Sequence, residues 1–136
     1  MMDDLVQWYG EQLDEDERIA QAATSGPWNR MGQRVLDSSP PSDRLGVGMA
    51  VGHAAASADF NETADHIAAW DPARVLLEVE ADRRLLATYT DAQATVDAIA
   101  HPDMYDVGRA QGLKEAVRYR TLRFDSRPGY REEWRP

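Results

Sequence analysis

HIAAWDPARVLLEVEADRRLL, residues 66–86, decides the class of this chain. Asp71 and Pro72 form a helix-starting pair. An aspartate oxygen can accept from the first free backbone N–H groups, and a proline at the first helical position loses no hydrogen bond. Val75, Leu76, Val79, Leu86 and Tyr89 then recur as a core-facing stripe. Glu80 and Arg84 stand four apart in the favourable order for an exposed ion pair. A long amphipathic helix is the expected result, and it sets a mainly α fold.

Upstream, Asp59 followed by Glu62 resembles a capping box, and Phe60, Ala64, Ile67 and Ala68 give a short apolar stripe. Downstream, Thr90 and Gln93 suggest a second box that would open a short helix lined by Val96 and Ile99 before Pro102. A last helix is expected over about 109–124, with Leu113, Val117 and Phe124 inward. The run VRYRTLRF alternates as well, so a strand competes there. The end, DSRPGYREEWRP, reads as a tail over 125–136.

Residues 3–23 form a further helix, with Leu5, Tyr9, Leu13, Ile19 and Ala20 near helical spacing. Ser25, Gly26 and Pro27 stop it. Residues 28–36 and the alternating LGVGMAV, 45–51, read as two short strands of a hairpin joined by a proline- and serine-rich loop. The expected fold is therefore a long N-terminal helix, a two-stranded hairpin and three to four packed helices, in a single domain of 136 residues.

Two segments resemble a known family. HIAAWDPARVLLEVEADRRLL and the terminal GYREEWRP, residues 129–136, are similar to the HIA, DPARVL, EVEA and YREEWRP segments of domain-of-unknown-function family 6221, known from actinobacteria and their phages. The likeness covers about half the chain and is poor between 27 and 58. Many members of that family carry cysteines before the terminal segment, in a spacing that could hold a metal, whereas this chain has none, so no metal role carries over. The family has no assigned activity, and the resemblance speaks for origin and fold alone. Composition agrees on origin: fourteen Arg against one Lys, with abundant Ala, is the signature of a GC-rich genome.

Charge is unevenly spread. The net charge is −9, and residues 1–17 hold seven acids and no base. Residues 109–136 hold eight bases and four acids. An acidic body repels phosphate, so nucleic acid is not the expected partner. The absence of cysteine removes disulfides and thiolate chemistry. No apolar run approaches the roughly 20 residues of a membrane span. The N-terminus is acidic from its third residue, unlike a secretory leader, so the cytoplasm is the expected location.

No residue set argues for catalysis, and no cofactor is expected. His66, Trp70 and Asp71 have sufficient structural uses as a ring pair and a cap. His53, His66 and His101 lack metal-ligand spacing. The glycines of GVGMAVG lack a phosphate-loop lysine. The serines sit where caps and turns need them.

The residues expected to meet a partner are Tyr130, Arg131, Trp134 and Arg135 of the tail and the acidic block Asp14, Glu15, Asp16 and Glu17. Trp, Tyr and Arg are the types enriched at interface hot spots. The expected function is a non-enzymatic phage or prophage accessory factor binding a host protein, or a second copy of itself. Two alternatives stand beside it. The arginines 118–135, interleaved with aromatics, could bind single strands, and the acidic block could mimic DNA phosphates.

Overall fold

The computed structural model describes residues 2–38 and 54–136. Helix α1 spans Met2–Ala22, strands β1 and β2 span Asn29–Met31 and Arg34–Leu36, and β3 spans Ala54–Ser57. Helices α2, α3 and α4 follow at Asn61–Ala69, Pro72–Ala98 and Met104–Thr121, with short 3₁₀ turns at Leu122–Phe124 and Glu132–Trp134. Helices make up most of the described residues, so the chain is mainly α with a small antiparallel sheet. It forms two compact units. One comprises Met1–Glu15 with Val79–Pro136, and the other Asp16–Glu78.

In the Asp16–Glu78 unit the sheet has strand order β1-β2-β3. β1 and β2 make a tight hairpin with Asn29 opposite Leu36 and Met31 opposite Arg34. Gly32 supplies the turn at φ 62°, a conformation that side chains resist. The segment 28–36, expected as a single strand, is itself a two-stranded hairpin, and β2 pairs on its other edge with β3 at 54–57. The expected strand at 45–51 lies outside the described residues. α2 packs on the sheet, and its Ala64 is buried, as are Val35 and Leu36 of β2.

Helix starts depend on which oxygen reaches which amide. Asp71 Oδ1 accepts from the Arg74 N–H at 2.8 Å, and Oδ2 accepts from the Trp28 N–H at 2.8 Å. One carboxylate therefore both caps α3 and holds the segment after α1. The box expected at Asp59 does not form. The α2 N-cap falls on Phe60, in extended backbone, with no side-chain cap. Nor does Thr90 open a new helix. Its hydroxyl donates to the Leu86 carbonyl at 2.9 Å, so α3 runs unbroken to Ala98. A threonine that bonds back one turn no longer competes with the helix. α4 begins five residues before the expected 109, because Asp103 accepts from the Asp106 N–H at 2.8 Å. Residues 117–121 are helical, which settles the competition with a strand.

The unit formed by Met1–Glu15 and Val79–Pro136 has its core where α1, α3 and α4 face one another. Leu5, Tyr9 and Leu13 of α1 are fully buried, as are Val117 and Thr121 of α4. Val79, Leu86 and Tyr89 of α3 and Phe124 are also buried. Ile19, placed by its spacing in the α1 stripe, is 51% exposed instead, because the buried sequence steps 5, 9, 13 and then 20. None of the described helices is long and apolar enough to cross a membrane.

Candidate functional site

The tail folds onto its own unit. Trp134 is 4% exposed, and its ring lies 5.4 Å from Trp8 and 5.9 Å from Tyr130. Trp8 and Tyr130 meet edge-on at 5.7 Å. Such aromatic pairs add about 0.5–1.5 kcal/mol beyond the area they bury. The Trp8 indole N–H donates to the Pro128 carbonyl at 3.0 Å. From α4, Arg118 Nε donates to the Trp134 carbonyl at 2.9 Å, and its Nη2 reaches the carbonyls of Glu133 and Arg135. Arg131 pairs with Asp4 at 3.0 Å, and Arg135 with Glu132 at 2.6 Å and Asp125 at 3.3 Å. Tyr130, Arg131, Trp134 and Arg135 are therefore brought together, with Trp134 inside the fold and both arginines half-exposed on acids of their own unit.

A second cluster was not foreseen. Asp82 of α3 is 3% exposed and takes the Nε–H and Nη2–H of Arg120 at 2.8 and 3.0 Å. Arg123 Nη2 donates to the same carboxylate at 2.5 Å. The Tyr9 phenol lies beside it. Burial first, and then the Asp82 charge, push that phenol far above the ordinary tyrosine value. The hydrogen bond to Asp82 is the leading cause of the upward shift on Arg120. Phe124 closes the cluster, with the Arg123 and Arg127 guanidinium groups 4.6 and 4.2 Å from its ring centre. The sequence carries no local signal for this arrangement, since Asp82 looks like one more polar position on a charged helix.

The acidic block divides. In the larger unit Asp14 accepts from Arg83 Nη2 at 2.7 Å, and Glu15 is exposed. In the smaller one Asp16 is half-buried and Glu17 accepts from Gln21 at 3.3 Å. Among the C-terminal arginines, Arg131 pairs with Asp4, Arg120 and Arg123 with Asp82, and Arg135 with Asp125 and Glu132.

In the Asp16–Glu78 unit the His66 ring lies 6.1 Å from that of Trp70, and the Arg74 guanidinium sits 3.9 Å over the Trp70 ring. Both Asp71 oxygens accept from backbone N–H groups, and among the described residues no hydrogen bond joins His66 to Asp71. Ser38 Oγ donates to the carbonyls of Ser25 and Gly26, as turn serines do. Among the described residues no three of His, Asp and Glu gather as a metal site would require. His53 and the GVGMAVG segment lie outside the described residues.

The feature that stands apart is one face of α4. Tyr105 and Tyr119, fourteen apart on that face, are 74% and 62% exposed, and Met104, turned about 100° from Tyr105 at the helix start, is 92% exposed. Gly108 and Gly112 lie among them, and a Cβ built on either meets nothing within 4 Å. A glycine inside a helix costs about 1 kcal/mol relative to alanine. Among the described residues nothing packs closely enough on either glycine to call for it. A helix start near 109, as the sequence predicts, excludes Met104 and Tyr105, which the structure places in the first turn of α4. The readable signal was Gly108 and Gly112 four apart, with a tyrosine on each side.

The family of unknown function DUF6221 matches residues 2–136, the length of both units. No curated protein and no solved structure matches the chain.

Proposed function

We propose that this chain, which belongs to the family of unknown function DUF6221, is a non-enzymatic interaction protein, an accessory factor of a phage or prophage, that binds a protein partner through the open face of α4. One observation carries the reading. Two tyrosines fourteen residues apart on one face of a single capped helix, Tyr105 and Tyr119, are held in solvent, and Met104 at the helix start is exposed as well. Large aromatic groups fixed at a surface supply contact area at little entropic cost.

The C-terminal arginines support strand binding less well. Arg118, Arg120 and Arg123 direct their N–H groups to carbonyls and a carboxylate of their own unit. A strand would have to compete with those bonds. The acidic block, with Asp14 on Arg83, supports a phosphate mimic no better. The phage setting rests on the family resemblance, and the arginine-rich composition adds a GC-rich genome of origin.

The test is affinity capture from actinobacterial lysate containing untagged copies of the chain, with nuclease, at low and moderate salt. A protein held by wild type and lost by Tyr105→Ser/Tyr119→Ser supports the reading, whether it is foreign or the chain itself. Equal capture by both baits, or capture that nuclease removes, overturns it.

A further inference from the structure

Resting on the reading of α4 as the contact surface, we infer that its occupant is a second copy of this chain, packed antiparallel about a two-fold axis at Gly112. The residue types around Gly112 are arranged as such an axis demands. Three positions to either side stand opposite charges, Arg109 and Glu115. Four positions away stand small residues, Gly108 and Ala116, and seven away two tyrosines, Tyr105 and Tyr119. At 3.6 residues per turn all of these fall within about 60° of the Gly112 direction. They therefore share one face, on which Tyr105, Gly108, Arg109, Gly112, Glu115 and Tyr119 are exposed.

Antiparallel pairing through Gly112 sets each position against its mirror position on the second copy. Arg109 then meets Glu115 of the second copy, and Glu115 meets its Arg109, giving two ion pairs from one pattern. Tyr105 meets Tyr119 in the same way. A parallel arrangement would oppose Arg109 to Arg109. An unrelated partner imposes no such symmetry, whereas an isologous interface requires self-complementarity. Among the described residues neither Arg109 nor Glu115 has a side-chain partner within the chain, so both charges are available. The glycines complete the geometry. The space above each is open, and without a Cβ two helix backbones can approach closely.

The chain has no cysteine, so Gly112→Cys supplies its only thiol. At the axis that thiol faces its own copy, and mild oxidation should link the chains rapidly. Ala87→Cys, exposed on α3, is the control and should not link. In sedimentation the wild type should self-associate. Arg109→Glu or Glu115→Arg alone should weaken association about tenfold or more, and the two together should restore it. The charge reversals lie on exposed helix positions, and circular dichroism verifies their fold. A wild type that stays monomeric through the millimolar range overturns the inference. Cross-linking at 112 no faster than at 87 also overturns it, as does a double reversal that fails to restore association. A monomer that nonetheless captures a foreign protein through Tyr105 and Tyr119 sinks the second copy alone and leaves the broader reading standing.

Discussion

The Asp82 carboxylate and the Arg120 guanidinium meet in a two-point fork, 2.8 Å to Nε and 3.0 Å to Nη2, with the aspartate side chain 4% exposed and the arginine 43%. The cation keeps part of its hydration while the anion has lost nearly all of its own. That asymmetry makes the carboxylate dependent on its partners, and Arg123 supplies the second.

Asp82→Asn should therefore destabilise the chain by about 3 kcal/mol, the lower end for a broken buried pair because the arginines remain partly solvated. Urea unfolding measures it. Pairing Asp82→Asn with Arg123→Gln should recover part of the loss, since one uncompensated cation is removed. A loss below about 1 kcal/mol would show that the two arginines are held by other groups.

Trp134→Ala should cost about 3–5 kcal/mol, as for other buried aromatics, because the ring is enclosed by Trp8 and Tyr130. Thermal unfolding of the variant distinguishes this from a loosely attached tail, for which the melting temperature would not move.

Gly129→Ala should cost about 1–3 kcal/mol, from backbone strain and a clash together. Gly129 has φ 88°, and a Cβ there would lie 2.8 Å from the Trp8 indole nitrogen. Unchanged stability would mean that the 128–130 turn adapts without loss.

Asp71→Ala removes the α3 cap and the acceptor for the Trp28 N–H. The expected loss is about 2 kcal/mol, above that of a simple cap because a second amide loses its partner. Asp71→Asn, which keeps one acceptor oxygen, should retain part of it. Equal losses for the two variants would refute the double role.

Tyr9 fixes the alkaline limit. Its folded value is raised, chiefly by burial, so above the unfolded tyrosine value of about 10 the unfolded chain releases a proton that the folded one keeps. Stability is complete below that pH and falls as pH climbs toward the raised folded value. Phenolate absorbance at 295 nm should show a late step that coincides with unfolding; Tyr89, also raised by burial, shares in it, so Tyr9→Phe should reduce its amplitude and leave a remainder. A Tyr9 contribution to ionisation before unfolding would refute it.

Local signals carried the helices. Asp71 and Pro72 mark the start of α3 because a cap is decided by residues three apart. The steps Leu5, Tyr9, Leu13 mark the buried face of α1 because helical periodicity is written into the chain. The family was legible from two segments, and the match extends over 2–136. Thr90 misled, because the same hydroxyl can cap a helix or bond back within one, and only its neighbours decide. β3, AAAS, carries no alternation of apolar and polar residues, so nothing local announced it.

The sequence by itself determined the mainly α class, the helix starting at Pro72 and the acidic, cysteine-free character, because each follows from residues close along the chain or from composition. Tertiary structure alone decided that Asp82 meets Arg120 and Arg123, that Trp8 meets Tyr130 and Trp134, and that Tyr105 and Tyr119 are left in solvent. The physical reason is separation. Pairings across 38 to more than 120 residues depend on how the helices pack, and a face is known to be open only when every packed neighbour has been placed.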